Sequence, residues 1–178
     1  MFRQSILLLP AAILAPASLS AYATVYHSAE QAQQLMFPGE TFSPSFVVLS
    51  SEQARRIEDQ SGVDVRRKEV KTWKASSGGW FIVDDVVGKH EFITFALALS
   101  ADGRVKSVEV LEYRESYGGQ IREQGWRAQF AGKGDSDPVR LGADIRNISG
   151  ATLSCKNLTN GIRRLLAFHA VVLINEKR

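Results

Sequence analysis

The feature that most constrains this chain is a run of four segments, rich in aromatic and β-branched residues, joined by short connections. The segments are 70–76, 80–87, 90–99 and 105–114. Ser77-Gly78-Gly79 and Ala101-Asp102-Gly103-Arg104 are turn sequences that join neighbouring strands as hairpins. The pattern therefore predicts an antiparallel sheet.

The segment 90–99 shows where the centre of that sheet lies. With the two-residue period of a strand, its apolar residues fall on both faces. One face carries Ile93, Phe95, Leu97 and Leu99, and the other carries Phe92, Thr94, Ala96 and Ala98. Because neither face is suited to water, we expect this strand to be central.

Two short helices are predicted before the sheet. Ser28 with Gln31 forms a capping-box pattern, and Pro38-Gly39 marks the end of that helix. A second helix begins at Ser50 or Ser51 and stops near Gly62, where a left-handed backbone costs little.

The C-terminal part is predicted to be mainly helical. A short helix fits residues 122–131, and a strand is expected to end near Ile148. A long last helix then begins at Ser154 and carries an apolar stripe at helical spacing. The stripe comprises Leu158, Ile162, Leu165, Leu166, His169, Val172 and Leu173. We therefore expect a single α+β domain, with an antiparallel sheet flanked by helices.

The N-terminus has the pattern of a secretory signal peptide. Arg3 precedes an apolar stretch, and Ala21-Tyr22-Ala23 is a small-x-small cleavage pattern. We expect residues 1–23 to be removed and 24–178 to form the mature domain in the periplasm or another extracytoplasmic compartment. Removal of Arg3 lowers the formal net charge from +3 to +2. This balance gives no nucleic-acid signature.

The run Ser149-Gly150-Ala151-Thr152 precedes the last helix. Unsatisfied backbone N–H groups at a helix start favour an anion such as a phosphate. Gly150 can adopt a positive φ, Ala151 leaves the approach open, and Thr152 offers a hydroxyl. On spacing alone, however, such a run is more often a simple capped helix start.

The longer run Ser149-Gly150-Ala151-Thr152-Leu153-Ser154 resembles the flavinylation motif of the FMN-binding domain family. That family includes the C subunit of the sodium-translocating NADH:quinone reductase and the G subunit of the Rnf complex. The resemblance implies that Thr152 is joined to FMN through a phosphoester by a separate flavin transferase that uses FAD. It also implies that Ser149, Gly150, Ala151, Leu153 and Ser154 contact the cofactor.

Two further segments, 111–118 and 126–133, resemble the family. From the first, we expect Glu115, Tyr117 and Gly118 to lie near the flavin. Trp126, in the second, is a candidate stacking surface, although a core role is favoured.

Two positions depart from the family pattern. Arg146 stands where an aspartate is usual, with Asp144 the nearest aspartate, and Ser116-Tyr117 replaces Thr-Pro. The Ser-Gly-Ala-Thr run itself is intact.

The resemblance implies an exported electron carrier that works between a membrane reductase and a cytochrome or another redox protein. Two alternatives stay open: a flavin-dependent reductase of a small acceptor, and a cofactor-free binding module. Cys155 is interpreted as a half-buried helix residue rather than a reactive thiol. His27, His90 and His169 are too far apart in sequence to suggest a metal site.

Overall fold

The protein is described by a computed structural model that covers residues 24–115 and 117–174. The predicted signal peptide lies outside the described residues. The strands are β1 (Thr24–Val25), β2 (Phe42–Pro44), β3 (Val47–Val48), β4 (Glu69–Ala75), β5 (Trp80–Val87), β6 (Phe92–Leu99) and β7 (Val105–Tyr113). All four predicted strand segments are therefore present.

The helices are α1 (Ala29–Met36), α2 (Ser51–Ser61), α3 (Gln124–Arg127) and α4 (Thr152–Phe168). The predicted capping box at Ser28 with Gln31 is formed, and the structure adds a second one at Ser50 with Gln53. α2 ends at Gly62, whose φ of 65° is left-handed as expected. A π-helical turn, His169–Leu173, continues α4.

The strands form one open sheet in the order β1-β7-β6-β5-β4-β2, and β3 also pairs with β4. Each pairing between these strands is antiparallel. β6 lies between β5 and β7, so its predicted central position is confirmed. The α+β class with a long C-terminal helix is likewise confirmed.

The sheet separates two apolar clusters of unequal size. Ile93, Phe95, Leu97 and Leu99 face the larger cluster, which α2 and α4 complete. Ala96 and Ala98 face a smaller cluster beneath α1. Phe92, expected on this second apolar face, is 53% exposed because it begins β6 beside the β5–β6 turn. The large cluster therefore fixes α4 to the sheet.

Close approach of α4 to the sheet depends on Gly161. A Cβ atom at this position would lie 2.6 Å from Cγ1 of Val86 in β5. A larger residue would push the helix away from the sheet. Farther along, the Arg164 guanidinium pairs with Asp84 of β5. These contacts hold α4 in a fixed position, and with it the residues at its N-terminus.

Three sequence predictions in the C-terminal part are wrong. Residues 122–131 are not one helix but two 3₁₀ turns on either side of the four-residue α3. No strand ends near Ile148: among the described residues between β7 and α4, the only β-structure is an isolated bridge between Leu141 and Ile145. α4 begins at Thr152 rather than Ser154.

Between residues 139 and 152, the physical reason is local hydrogen bonding that a hydrophobic pattern does not record. The Asp144 carboxylate accepts from the N–H groups of Val139 and Arg140, at 3.2 and 2.7 Å, and closes a loop there. The Ala151 N–H then donates to the carbonyl of Ile148 at 3.0 Å, so the chain turns directly into α4. None of the described helices has the length and hydropathy that a membrane span needs.

Candidate functional site

The Ser149–Thr152 run forms a tight turn whose last residue is the first residue of α4. Gly150 has a φ of 83°, which is the positive value that the sequence predicted. Ser149 is exposed in the turn, and Ala151 is buried beneath it. The Thr152 side chain is exposed, and its Oγ1 accepts a hydrogen bond from Asn147 Nδ2 at 2.9 Å. The hydroxyl is thus oriented and open to solvent.

The start of α4 lacks a side-chain cap. Its N-cap residue, Ala151, has φ −118° and ψ 18° and offers no side-chain acceptor. Within the described part of the chain, the N–H groups of residues 152–154 have no hydrogen-bond partner. The positive end of the helix dipole therefore faces outward beside the Thr152 hydroxyl.

A pocket of about 500 Å³ opens at this helix start. Its lining comes from three segments: the β5–β6 turn, the chain after β7, and the beginning of α4. The lining residues are Lys89, His90, Glu91, Arg114, Glu115, Tyr117, Gly150, Ala151, Thr152, Leu153 and Ser154. The fold thus brings the predicted residues Glu115 and Tyr117 together with residues 150–154 of the motif, whereas Ser149 lies outside the lining.

Besides Arg114, the pocket residues absent from the sequence prediction are Lys89, His90 and Glu91. They lie about 60 positions before the motif and form an ordinary polar turn, so no local pattern connects them with it. The pairing of β6 with β7, which sets Ile93 opposite Tyr113, brings them beside Arg114 and Glu115. Only the sheet register could have identified them.

Glu115 is engaged by the backbone of that same turn. Its Oε1 accepts from the N–H groups of His90 at 2.5 Å and Glu91 at 3.0 Å. A Cβ atom at Gly88 would lie 2.5 Å from this oxygen, so a side chain at that position would displace the carboxylate. Burial alone would raise the pKa of Glu115, but the backbone N–H groups of Glu91, His90 and Lys89 outweigh it and lower the pKa below its usual value. The carboxylate thus joins the chain after β7 to the β5–β6 turn, which are two of the three segments that line the pocket.

Tyr113, at the end of β7, connects the chain after β7 with the start of α4. Its hydroxyl donates to the carbonyl of Tyr117 and lies 3.2 Å from Ser154 Oγ. Burial raises the pKa of Tyr113, so the hydroxyl stays protonated. The Tyr117 ring itself is 82% exposed at the rim of the pocket.

Gly118 lies beneath the pocket rather than in its lining. A Cβ atom there would lie 2.9 Å from Tyr113 Oη and 3.0 Å from Ser154 Oγ. It would also lie 3.5 Å from the Cα atom of Ala151. Gly118 therefore allows the chain after β7 to pack against the start of α4.

Neither charged residue near the expected aspartate position reaches Thr152. Arg146 Nε lies 3.3 Å from Gln129 Oε1, on the side of the 3₁₀ turns. The Asp144 carboxylate pairs with Lys133 Nζ at 2.8 Å. The side chain that reaches the Thr152 hydroxyl is Asn147.

Trp126 has the core role that the sequence favoured. It is 6% exposed, its ring lies 5.3 Å from that of Phe130, and its Nε1 donates to the Arg146 carbonyl at 2.7 Å. Cys155, expected to be half-buried, is fully buried, and burial raises the pKa of its thiol. In the described residues, no group of three histidine, cysteine or acidic side chains could hold a metal ion.

Comparison with known proteins gives one match to this region. The model of the FMN-binding domain family matches residues 88–167, from the β5–β6 turn to the penultimate residue of α4. The matched range includes the whole pocket lining. No curated protein matches the chain.

Proposed function

Since residues 88–167 belong to the FMN-binding domain family, we propose that this flavoprotein is an exported electron carrier with FMN joined to Thr152 through a phosphoester. Flavin binding follows from the family, whereas the covalent link, the export and the partners are proposals. FMN, when bound, supplies the redox chemistry of its isoalloxazine ring. The chain's own residues would hold and orient it.

The observation that carries the proposal is the position of the Thr152 hydroxyl. It is exposed at an uncapped helix start, next to open N–H groups, and it lines the pocket. A phosphate on Thr152 would be stabilised by those N–H groups and by the helix dipole. The residues present therefore fit the phosphate end of FMN.

The rest of the pocket suits the remainder of the cofactor. Its volume of about 500 Å³ lies within the usual range for small-molecule sites. Leu153 and Tyr117 offer exposed apolar surface at its edge, with exposed fractions of 46% and 82%. We expect these two side chains to contact the flavin and to shield part of it from water.

Attachment requires an outside enzyme in this proposal. The Thr152 oxygen forms a bond to the FMN phosphorus of FAD, the phosphorus–oxygen bond to AMP breaks, and AMP leaves with that electron pair. A base of the flavin transferase takes the hydroxyl proton. A covalent link retains the cofactor without relying on binding affinity, which suits the expected extracytoplasmic location.

In the proposed role, the protein transfers electrons between a membrane reductase and a cytochrome or another redox protein. Much of the pocket lining is exposed, including Lys89, His90, Glu91 and Arg114. Such a site is open to contact with protein partners. Charged residues of both signs around it would guide their encounter.

Co-expression with a flavin transferase tests the proposal. We expect the intact mass of the exported protein to increase by one esterified FMN, and its yellow colour to survive denaturation. Thr152→Ala should abolish the increment and Thr152→Ser should retain it. A bare wild-type chain would support a cofactor-free module, and specific, saturable turnover of a small acceptor would favour a reductase over a carrier.

A further inference from the structure

We propose that Asn147 is a positioning residue that holds the Thr152 hydroxyl ready for attachment of the flavin. This inference rests on the proposed function. It concerns a residue outside the Ser-Gly-Ala-Thr run, next to the position where Arg146 replaces the aspartate of the family pattern.

The geometry is a hydrogen bond that bridges the turn before α4. Asn147 Nδ2 lies 2.9 Å from Thr152 Oγ1, and both side chains are exposed. Within the described residues, this is the only hydrogen bond of the Thr152 hydroxyl. The positive φ of Gly150, 83°, and the bond from the Ala151 N–H to Ile148 bring the two side chains together.

The polarity of this hydrogen bond suits a hydroxyl that must react. An amide N–H donates to the oxygen, so the hydroxyl's own proton stays free for an external base. An exposed threonine without such a partner would exchange between rotamers. Fixing one rotamer in advance removes part of the ordering cost from the reaction step.

The two neighbouring charged side chains cannot take this role because each is bound elsewhere. Arg146 contacts Gln129, and Asp144 is paired with Lys133 and with backbone N–H groups of the loop. Asn147 is therefore the neighbouring side chain that contacts the Thr152 hydroxyl.

The test measures the rate at which purified chain gains FMN from FAD and flavin transferase, by intact mass over time and at several chain concentrations. Asn147→Ala should lower kcat about three- to tenfold, the usual effect of one hydrogen bond, and leave KM unchanged. Asn147→Asp keeps the shape but removes the N–H donor, so it should behave in the same way.

The matched control is Asn160→Ala. Asn160 lies farther along α4, where its Oδ1 accepts from Arg163 at 3.3 Å, so the variant loses an amide hydrogen bond away from Thr152. It should react at the wild-type rate. Thermal melting of all variants reports any loss of folding. If the role of Asn147 were purely structural, its variants would lower the melting temperature and change KM as well as kcat.

A wild-type kcat in Asn147→Ala or Asn147→Asp would overturn the inference about Asn147 and leave the proposed function standing. An equal fall of kcat in Asn160→Ala would do the same. A bare wild-type chain, or FMN retained in Thr152→Ala, would overturn the proposed function and this inference with it.

Discussion

The starts of α2 and α4 differ in how their first backbone N–H groups are satisfied. At α2, the Ser50 hydroxyl accepts from the Gln53 N–H at 3.1 Å, and the Gln53 side chain accepts from the Ser50 N–H at 2.9 Å. At α4, Ala151 provides no cap. α1 and α2 both have complete capping boxes. The open start of α4 therefore leaves backbone N–H groups available of the kind that α1 and α2 satisfy with side chains.

Packing compensates for the absent cap. Ser50 and Ser51 are exposed, whereas Ala151, Ser154 and Cys155 are 3%, 4% and 0% exposed. Burial of these residues anchors α4 without engaging its first N–H groups. A helix start can therefore be left open to a ligand when neighbouring contacts already stabilise it.

Gly118→Ala should have the largest effect on stability, because it disrupts the packing of the chain after β7 against the uncapped start of α4. The backbone φ of 86° is unfavourable for alanine, and the new Cβ would meet Tyr113 Oη and Ser154 Oγ. We expect the free energy of unfolding to fall by about 2–3 kcal/mol, measured by urea denaturation. Gly39→Ala, with φ 78° and no atom within 4 Å of its Cβ, isolates the backbone strain and should cost about 1 kcal/mol. Equal losses would show that the packing at Gly118 is unimportant.

Ser50→Ala and Thr152→Ala compare the two hydroxyls directly. Ser50→Ala removes a cap and should lower the free energy of unfolding by about 1 kcal/mol. Thr152→Ala should lower it by less than about 0.5 kcal/mol, since an exposed side chain is lost. Thermal or urea unfolding of the flavin-free chains measures both. A loss at Thr152 as large as that at Ser50 would identify the threonine as a structural residue.

The smallest effect is a pH dependence present near α4 and absent from the neutral cap of α2. The folded-state pKa of Glu115 lies below its unfolded value of about 4.3, so its contribution to stability is full above that value and is lost as pH falls through the folded-state pKa. The difference in unfolding free energy between wild type and Glu115→Gln should be constant from about pH 7 to 5 and shrink below about pH 4. A constant difference down to pH 3 would contradict this role.

Much of the fold could be predicted because its signals are local. The hairpin turn at Asp102-Gly103 and the capping boxes at Ser28 and Ser50 depend on residues within a few positions of one another. The same local rules failed for residues 122–131 and near Ile148. There, long-range contacts of Trp126 and hydrogen bonds of Asp144 decided the backbone instead.

For the candidate site, the sequence alone identified the Ser149–Thr152 run as the motif, the four strand segments of the sheet and the helix that follows the run. Only the tertiary structure brought the turn 89–91 beside it, directed Glu115 into the backbone of that turn and placed Asn147 on the Thr152 hydroxyl. The reason is physical: a motif records contacts between neighbours, whereas a pocket is assembled by strand register and by the packing of α4 against the sheet.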